Sequence, residues 1–223
     1  MGAVHDDVAA FLVPFLNAFF DVTAFQAAPP IPAFAASRLR LLRLPQSAAL
    51  LDQAVLEVAS RHCSGGTLFV LTSERLSGAG GSVAKHELLT PDGKSISVVA
   101  FASNASVEAR SQLTVRAVLR VLGVEPCVFF ECVMNALTES LILCPLCLRK
   151  VSLVQPQLNI VRRYTRILEA TKTQESSFWS TYRLWCKDHL AWLTNGQVIT
   201  PAVDSSKLRL LKKRLATRRR SRR

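Results

Sequence analysis

The chain lacks any apolar run approaching the ~20 residues that a membrane-spanning helix requires. The nearest, Phe11–Phe20, is interrupted by Pro14 and Asn17. Basic charge is missing from the N-terminus: His5-Asp6-Asp7 stand where a secretory signal or an Arg-rich transit peptide would be positive. Asp6 also breaks the myristoylation pattern that Met1-Gly2 opens. A soluble intracellular protein is expected, with no membrane partner and the compartment left open between cytoplasm, nucleus and mitochondrion. Histidine is scarce, at four residues, and none sits in a Ser/His/Asp or Cys/His pattern with supporting context. His86-Glu87 opens an H-E motif, but the fifth position is Thr90 and the segment reads as a hairpin strand rather than a helix. His5 reads as terminal, His62 as lying near a helix end, and His189 as solvated on the outer face of a helix. The glycine-rich Ser77–Ser82 has no Lys-Ser/Thr pair closing it and is no phosphate cradle. No small-molecule substrate is indicated.

What is present is a chain of 223 residues, long enough to bury a sizeable core, and 49% hydrophobic, which excludes global disorder. Its net charge of +12 is gathered at one end. Ten basic residues and no acid lie between Lys207 and Arg223: Lys207, Arg209, Lys212, Lys213, Arg214, Arg218, Arg219, Arg220, Arg222 and Arg223. Without them the balance is 18 basic against 16 acidic residues, or +2. The division is a folded body, 1–204, and a basic tail, 205–223. Arginines and lysines in such density neutralise phosphates by counterion release without reading bases, so the ten are candidate RNA contacts. A solubilising tail or a nuclear-import signal is the other reading.

Along the body, residues 4–26 read as an amphipathic helix, 31–44 as a strand and 47–60 as a helix capped by Ser47. Thr67–Leu71 is a short apolar run of the kind found in a buried strand. Val83–Leu89 and Ser95–Ala102 flank the turn signal Pro91-Asp92-Gly93. Ser106 to Leu122 repeats apolar residues at helical spacing and is stopped by Gly123. Two further helices are predicted over Asn159–Ala170 and Phe178–Leu193. The fold class is α+β (α/β), a small mixed sheet with packed helices.

Four of the six cysteines fall within 21 residues, as Cys127-x4-Cys132 and Cys144-x2-Cys147. Two short loops that each present two thiolates suit a closed tetrahedral zinc site, and a site with four protein ligands leaves no position for water or substrate. One structural zinc held by Cys127, Cys132, Cys144 and Cys147 is expected, in preference to two disulfides. Cys63 and Cys186 have no motif around them and read as buried thiols.

Leu143-Cys144-Pro145-Leu146-Cys147-Leu148-Arg149-Lys150, together with Gly123, Cys127, Cys132 and Met134, resembles the archaemetzincin family of metzincin-type zinc peptidases. That family runs H-E-x-x-H-x-x-G-x-x-H-C-x4-C-x-M, followed by a spacer and C-x2-C. The resemblance implies a metzincin-like core with Met134 in the Met-turn. It also exposes a loss. Arg116 stands at the first zinc histidine, Ala117 at the general-base glutamate, Arg120 at the second histidine and Pro126 at the third. Guanidiniums are always protonated and cannot ligate zinc, and alanine cannot take a proton. The implied protein is a non-catalytic archaemetzincin-like pseudoenzyme, expected to act as a structural or assembly subunit of an RNA-containing complex such as a ribosome, alongside other protein subunits. The alternatives are an active zinc metallopeptidase with an unrecognised ligand set, and a protein-interaction subunit with no nucleic-acid role. Arg116 and Arg120 are read as solvent-facing residues freed from constraint, in preference to an anion-binding groove.

Overall fold

The computed structural model describes residues 6–26, 59, 61, 66–72, 85–89, 95–102 and 104–195. The elements predicted over 31–44 and 47–60, the turn at 91–93, His5, His62, Cys63 and all ten basic residues of the tail lie outside the described residues. Among the described residues eight elements follow in order: α1 (Asp6–Phe19), β1 (Thr67–Thr72), β2 (Lys85–Leu89), β3 (Ser95–Ala100), α2 (Val107–Val121), α3 (Pro145–Val154), α4 (Ile160–Ala170) and α5 (Ser177–Asn195). No helix among the described residues is long and apolar enough to cross a membrane.

The three strands form one mixed sheet in the order β1-β3-β2. β3 pairs in parallel with β1, Thr67 opposite Ser95 through Thr72 opposite Ala100, and antiparallel with β2, Leu89 opposite Ser95. The apolar run of β3 accounts for its central place, since Ile96 to Ala100 are all buried, Ser97 among them. His86 and Glu87 lie on β2, a strand as expected and not a metal-binding helix. α2 packs on β3, with Ala117 against Val99 and Phe101.

The helix signals of the sequence locate α2 closely. Ser106 is its N-cap, accepting from the Ala109 N–H at 3.2 Å. At the other end the Gly123 N–H donates to the Arg120 carbonyl and the Val124 N–H to the Leu119 carbonyl. These paired bonds require a left-handed residue between them, and Gly123 supplies it at φ 79°. α4 is capped in the same way by Asn159, whose side chain accepts from the Arg162 N–H at 2.9 Å.

The first helix is shorter than the 4–26 expected: it ends at Phe19, and the chain turns at Asp21, a non-glycine residue with φ 53°. Tertiary contacts from α4 cause the early stop. The carboxylate of Asp21, with no exposed side-chain surface, accepts from Arg162 at 2.6 and 2.8 Å, from Arg166 at 3.3 Å and from the Asn159 N–H at 2.9 Å. The carbonyls left open at the end of α1 are satisfied from the same quarter. Arg163 donates to the Phe19 carbonyl at 2.6 Å, Gln155 to that of Phe20, and Arg166 to that of Val22 at 2.7 Å. The Arg163 guanidinium also lies 4.4 Å above the Phe19 ring. Asn17 bonds both backbone groups of Phe25 at 3.0 Å and fixes the exit.

The main core lies between α1, α2, α4 and α5. Phe11 and Phe15 meet Trp179 edge-on at 5.4 and 5.5 Å, and Leu119, Ile167 and the thiol of Cys186 are fully buried beside them. Each such large side chain contributes about 1.5–3 kcal/mol by leaving water. Cys186 is the inert buried thiol expected of it, pushed up to about 12 by burial. His189 departs from the solvated surface expected: it is half-buried, its ring 3.8 Å from that of Trp185, with Nδ1 2.9 Å from the Trp185 carbonyl. The indole, one turn earlier on α5, offers a larger apolar face than solvent leaves uncovered.

Asp21→Ala is expected to destabilise the fold by about 3 kcal/mol, by stranding two guanidiniums beside a cap that no longer closes. Burial opposes ionisation of Asp21, but the bonds from Arg162 and the Asn159 N–H and the Arg162 charge outweigh it and hold the carboxyl below its ordinary 3.8. A depressed carboxylate contributes fully above its unfolded value and loses that contribution as pH falls through the folded one. Urea unfolding should therefore show the gap between the wild type and Asp21→Asn closing below about pH 4.

Candidate metal centre

The four cysteines come from two backbone devices that the intervening loop brings together. Cys144 is the N-cap of α3, Pro145 holds the first helical position, and the Cys147 N–H donates to the Cys144 sulfur at 3.4 Å. Two sulfurs are thus set at a helix N-terminus, where the dipole and unpaired N–H groups favour thiolates. Cys127 and Cys132 lie on the non-helical loop after Gly123. That loop is tied back on itself by the Cys127 N–H to the Met134 carbonyl at 3.0 Å and the Val133 N–H to the Ile142 carbonyl at 2.7 Å. The Cys144 N–H reaches the Cys132 sulfur at 3.4 Å and links the two devices.

All four thiols are buried and free, and their sulfurs lie within 4.8 Å of one another. Cys127 Sγ and Cys144 Sγ are 3.8 Å apart. Metal–sulfur bonds of ~2.3 Å in a tetrahedron place the sulfurs ~3.8 Å apart, so a soft divalent ion fits the set. The electrostatics favour a cation. Burial first, then the neighbouring thiols Cys132 and Cys144, push the Cys147 thiol far up. Burial likewise raises Cys132. At Cys127 burial is outweighed by the backbone N–H groups of Phe129 and Phe130, and the thiol is lowered. Sulfurs this close cannot all ionise without a positive charge among them. With all four ligands supplied by the protein, the centre is closed.

Arg116, one turn from the end of α2, is not the solvent-facing residue expected. Its guanidinium turns into the loop between the two cysteine pairs and donates to the carbonyl of Val133, to that of Asn135 at 2.9 Å and to that of Thr138 at 2.7 Å. The Asn135 N–H and the Thr138 hydroxyl both donate to the Cys132 carbonyl, at 2.8 and 2.9 Å. The clamp therefore continues into a ligand residue. Burial lowers Arg116 and the Cys132 sulfur raises it, which places a positive charge beside the thiols. Arg120 is exposed as expected, and so is Pro126, while Ala117 is fully buried. Met134 is buried in the core beside the cysteines.

The four predicted ligands are thus brought together. The ten tail residues lie outside the described residues. Sequence reasoning missed Arg116 as a loop clamp and Asp21 as the end of α1. The i, i+4 pair Arg162 and Arg166 was the legible hint of a buried carboxylate nearby. No protein-family model matches the chain, and no curated protein or solved structure is significantly similar to it.

Replacing Cys144 and Cys147 together by Ser, or stripping metal with a chelator, is expected to lower the midpoint of thermal unfolding by more than 10 °C, since structural metal binding is folding free energy; an unchanged melting curve would refute a structural ion. Arg116→Ala is expected to lower metal affinity by about tenfold to a hundredfold, as loss of an outer-shell partner does, measured by competition with a chromogenic chelator. Arg116→Lys should recover little of it, because an ammonium cannot span the carbonyls that the guanidinium fork reaches.

Proposed function

We propose that this chain is a non-catalytic, archaemetzincin-like pseudoenzyme, stabilised by one zinc on Cys127, Cys132, Cys144 and Cys147. It serves as a structural or assembly subunit of an RNA-containing complex, with the basic tail as its RNA contact. Zinc is the choice among soft divalent ions because it is redox-inert, takes a tetrahedron without strain and is the usual occupant of closed four-thiolate sites.

The observation that carries the reading is Arg116. The family pattern puts its first catalytic histidine there, and the guanidinium is committed to the carbonyls of Val133, Asn135 and Thr138. The neighbouring position, where a general base would stand, is Ala117, buried against Val99 and Phe101. A carboxylate placed there would face the sheet and not a metal-bound water. The order β1, β2–β3, α2, cysteine cluster agrees with the later part of the strand, helix, strand, hairpin, helix, cysteine-cluster order that carries the resemblance, whose first strand and helix lie outside the described residues. Met134 beside the cysteines suits a Met-turn that floors a vacated site.

The RNA role rests on charge. Ten of the 28 basic residues lie in the tail, and the rest of the chain is close to neutral. Contacts of this kind set affinity and its salt dependence rather than base preference.

Two measurements test the reading. Metal analysis of the purified full chain is expected to give one zinc per chain with thiolate absorption edges, and a second ion held through imidazole would point to a working peptidase instead. Binding to single-stranded and duplex RNA is expected to weaken steeply with salt. Replacing Arg218, Arg219, Arg220, Arg222 and Arg223 by Gln should reduce the slope of log affinity against log salt by several units. Equal, salt-insensitive binding by both proteins would leave a protein-interaction subunit with no nucleic-acid role.

A further inference from the structure

Three short segments converge on the four sulfurs, and each carries large apolar side chains outward. The loop between Cys127 and Cys132 exposes Val128, Phe129 and Phe130, with Phe129 83% exposed. The following turn exposes Leu137, at 94%. The helix start exposes Leu146, between Cys144 and Cys147. The backbone segments that carry them lie close together. The Asn135 side chain donates to the Phe130 carbonyl at 2.9 Å and accepts from the Leu137 N–H at 3.0 Å, which ties the first two segments together. The sulfurs within 4.8 Å of one another tie in the third. Exposed apolar side chains gathered in this way around buried cysteines mark an interaction site.

Charge decides what the surface takes. Between Arg120 and Arg149 the sequence has no Lys or Arg, while Glu125, Glu131 and Glu139 are all exposed; Arg149 and Lys150, exposed on α3 one turn after Leu146, bound the face on that side. A divalent cation held by four thiolates would add a net charge of about −2 beneath them. The excess of acid over base disfavours a nucleic acid or an anionic lipid surface here. A second copy pairing through the same face would set its glutamates against each other. We infer that the face formed by Val128, Phe129, Phe130, Leu137 and Leu146 docks a basic amphipathic segment of a partner protein, whose apolar stripe covers the aromatic loop and whose lysines or arginines meet Glu125, Glu131 and Glu139. This face is separate from the RNA reading, and neither depends on the other. Aromatic side chains at the centre with charge at the rim is the anatomy of a protein interface, where the anchors set affinity and the rim sets on-rate and choice of partner.

The test uses the zinc-loaded full chain and a fluorescent synthetic helix of about 18 residues, with leucines at helical spacing and lysines elsewhere, and its glutamate counterpart. The lysine peptide is expected to bind, and the glutamate peptide not to. Phe129→Ser and Leu137→Ser should each weaken binding about tenfold or more, with metal content and melting temperature unchanged because both side chains face solvent. Replacing the three glutamates by Gln should slow association and flatten its salt dependence. Binding unaffected by either serine variant would overturn the proposal. So would displacement of the peptide by an RNA oligonucleotide or by phosphatidylserine vesicles in the wild type but not in Phe129→Ser. A concentration-dependent dimer dissolved by Phe129→Ser would assign the face to a second copy. Carboxyl–amine crosslinks from Glu131 to Lys212 or Lys213 within one chain would assign it to the tail.

Discussion

Four sulfurs held within 4.8 Å of one another inside a hydrophobic core are the constraint on which the C-terminal half depends. Thiolates so close repel, and burial removes the water that would screen them. The surrounding structure supplies the compensation in three forms: backbone N–H groups aimed at Cys127, Cys132 and Cys144, the N-terminus of α3, and the Arg116 guanidinium at the edge of the loop. A divalent ion held among the four would complete it. Between α2 and α3 the chain has no regular helix or strand, so its backbone groups are paired by local turns, by the side chains of Asn135, Thr138 and Ser140, and by Arg116. The centre and its clamp make this stretch as fixed as an element.

A second polar knot secures the other side of the core. Asp21 ends α1 by turning the backbone left-handed, and α4 answers with Arg162, Arg163 and Arg166 on one stretch of helix. The arrangement uses one buried carboxylate and a row of cations to close the carboxyl end of α1, where the helix dipole also favours positive charge. The two knots are joined through α3, which has Cys144 and Cys147 at its start and Gln155 as its C-cap, and through the packing around Trp179, Ile167 and Leu119. Polar groups thus pin the core at both ends, with Nη1 and Nη2 of Arg163 buried without a hydrogen bond.

The cysteine loops present aromatic and aliphatic side chains among exposed glutamates, and the sequence of residues 205–223 is basic with no acid. An ion held by all four cysteines would hold the loops in shape and keep no coordination position free.

The sequence by itself determined the four candidate metal ligands, the span of α2 with its glycine stop, the span of α4, and the strand character read over residues 67–71 and 95–102. These are local matters: a Cys-Pro-x-Cys knuckle, a Ser or Asn N-cap and a glycine at the helix stop each act within a few residues of themselves. Only the tertiary structure decided that α1 ends at Phe19, since nothing adjacent to Asp21 predicts three arginines more than 140 positions away. It likewise decided that Arg116 is a clamp rather than a surface residue and that His189 rests on Trp185. A long side chain has the same local propensity whether it points to water or to a loop of open carbonyls, and which it meets depends on chain that lies far off in sequence and arrives only on folding.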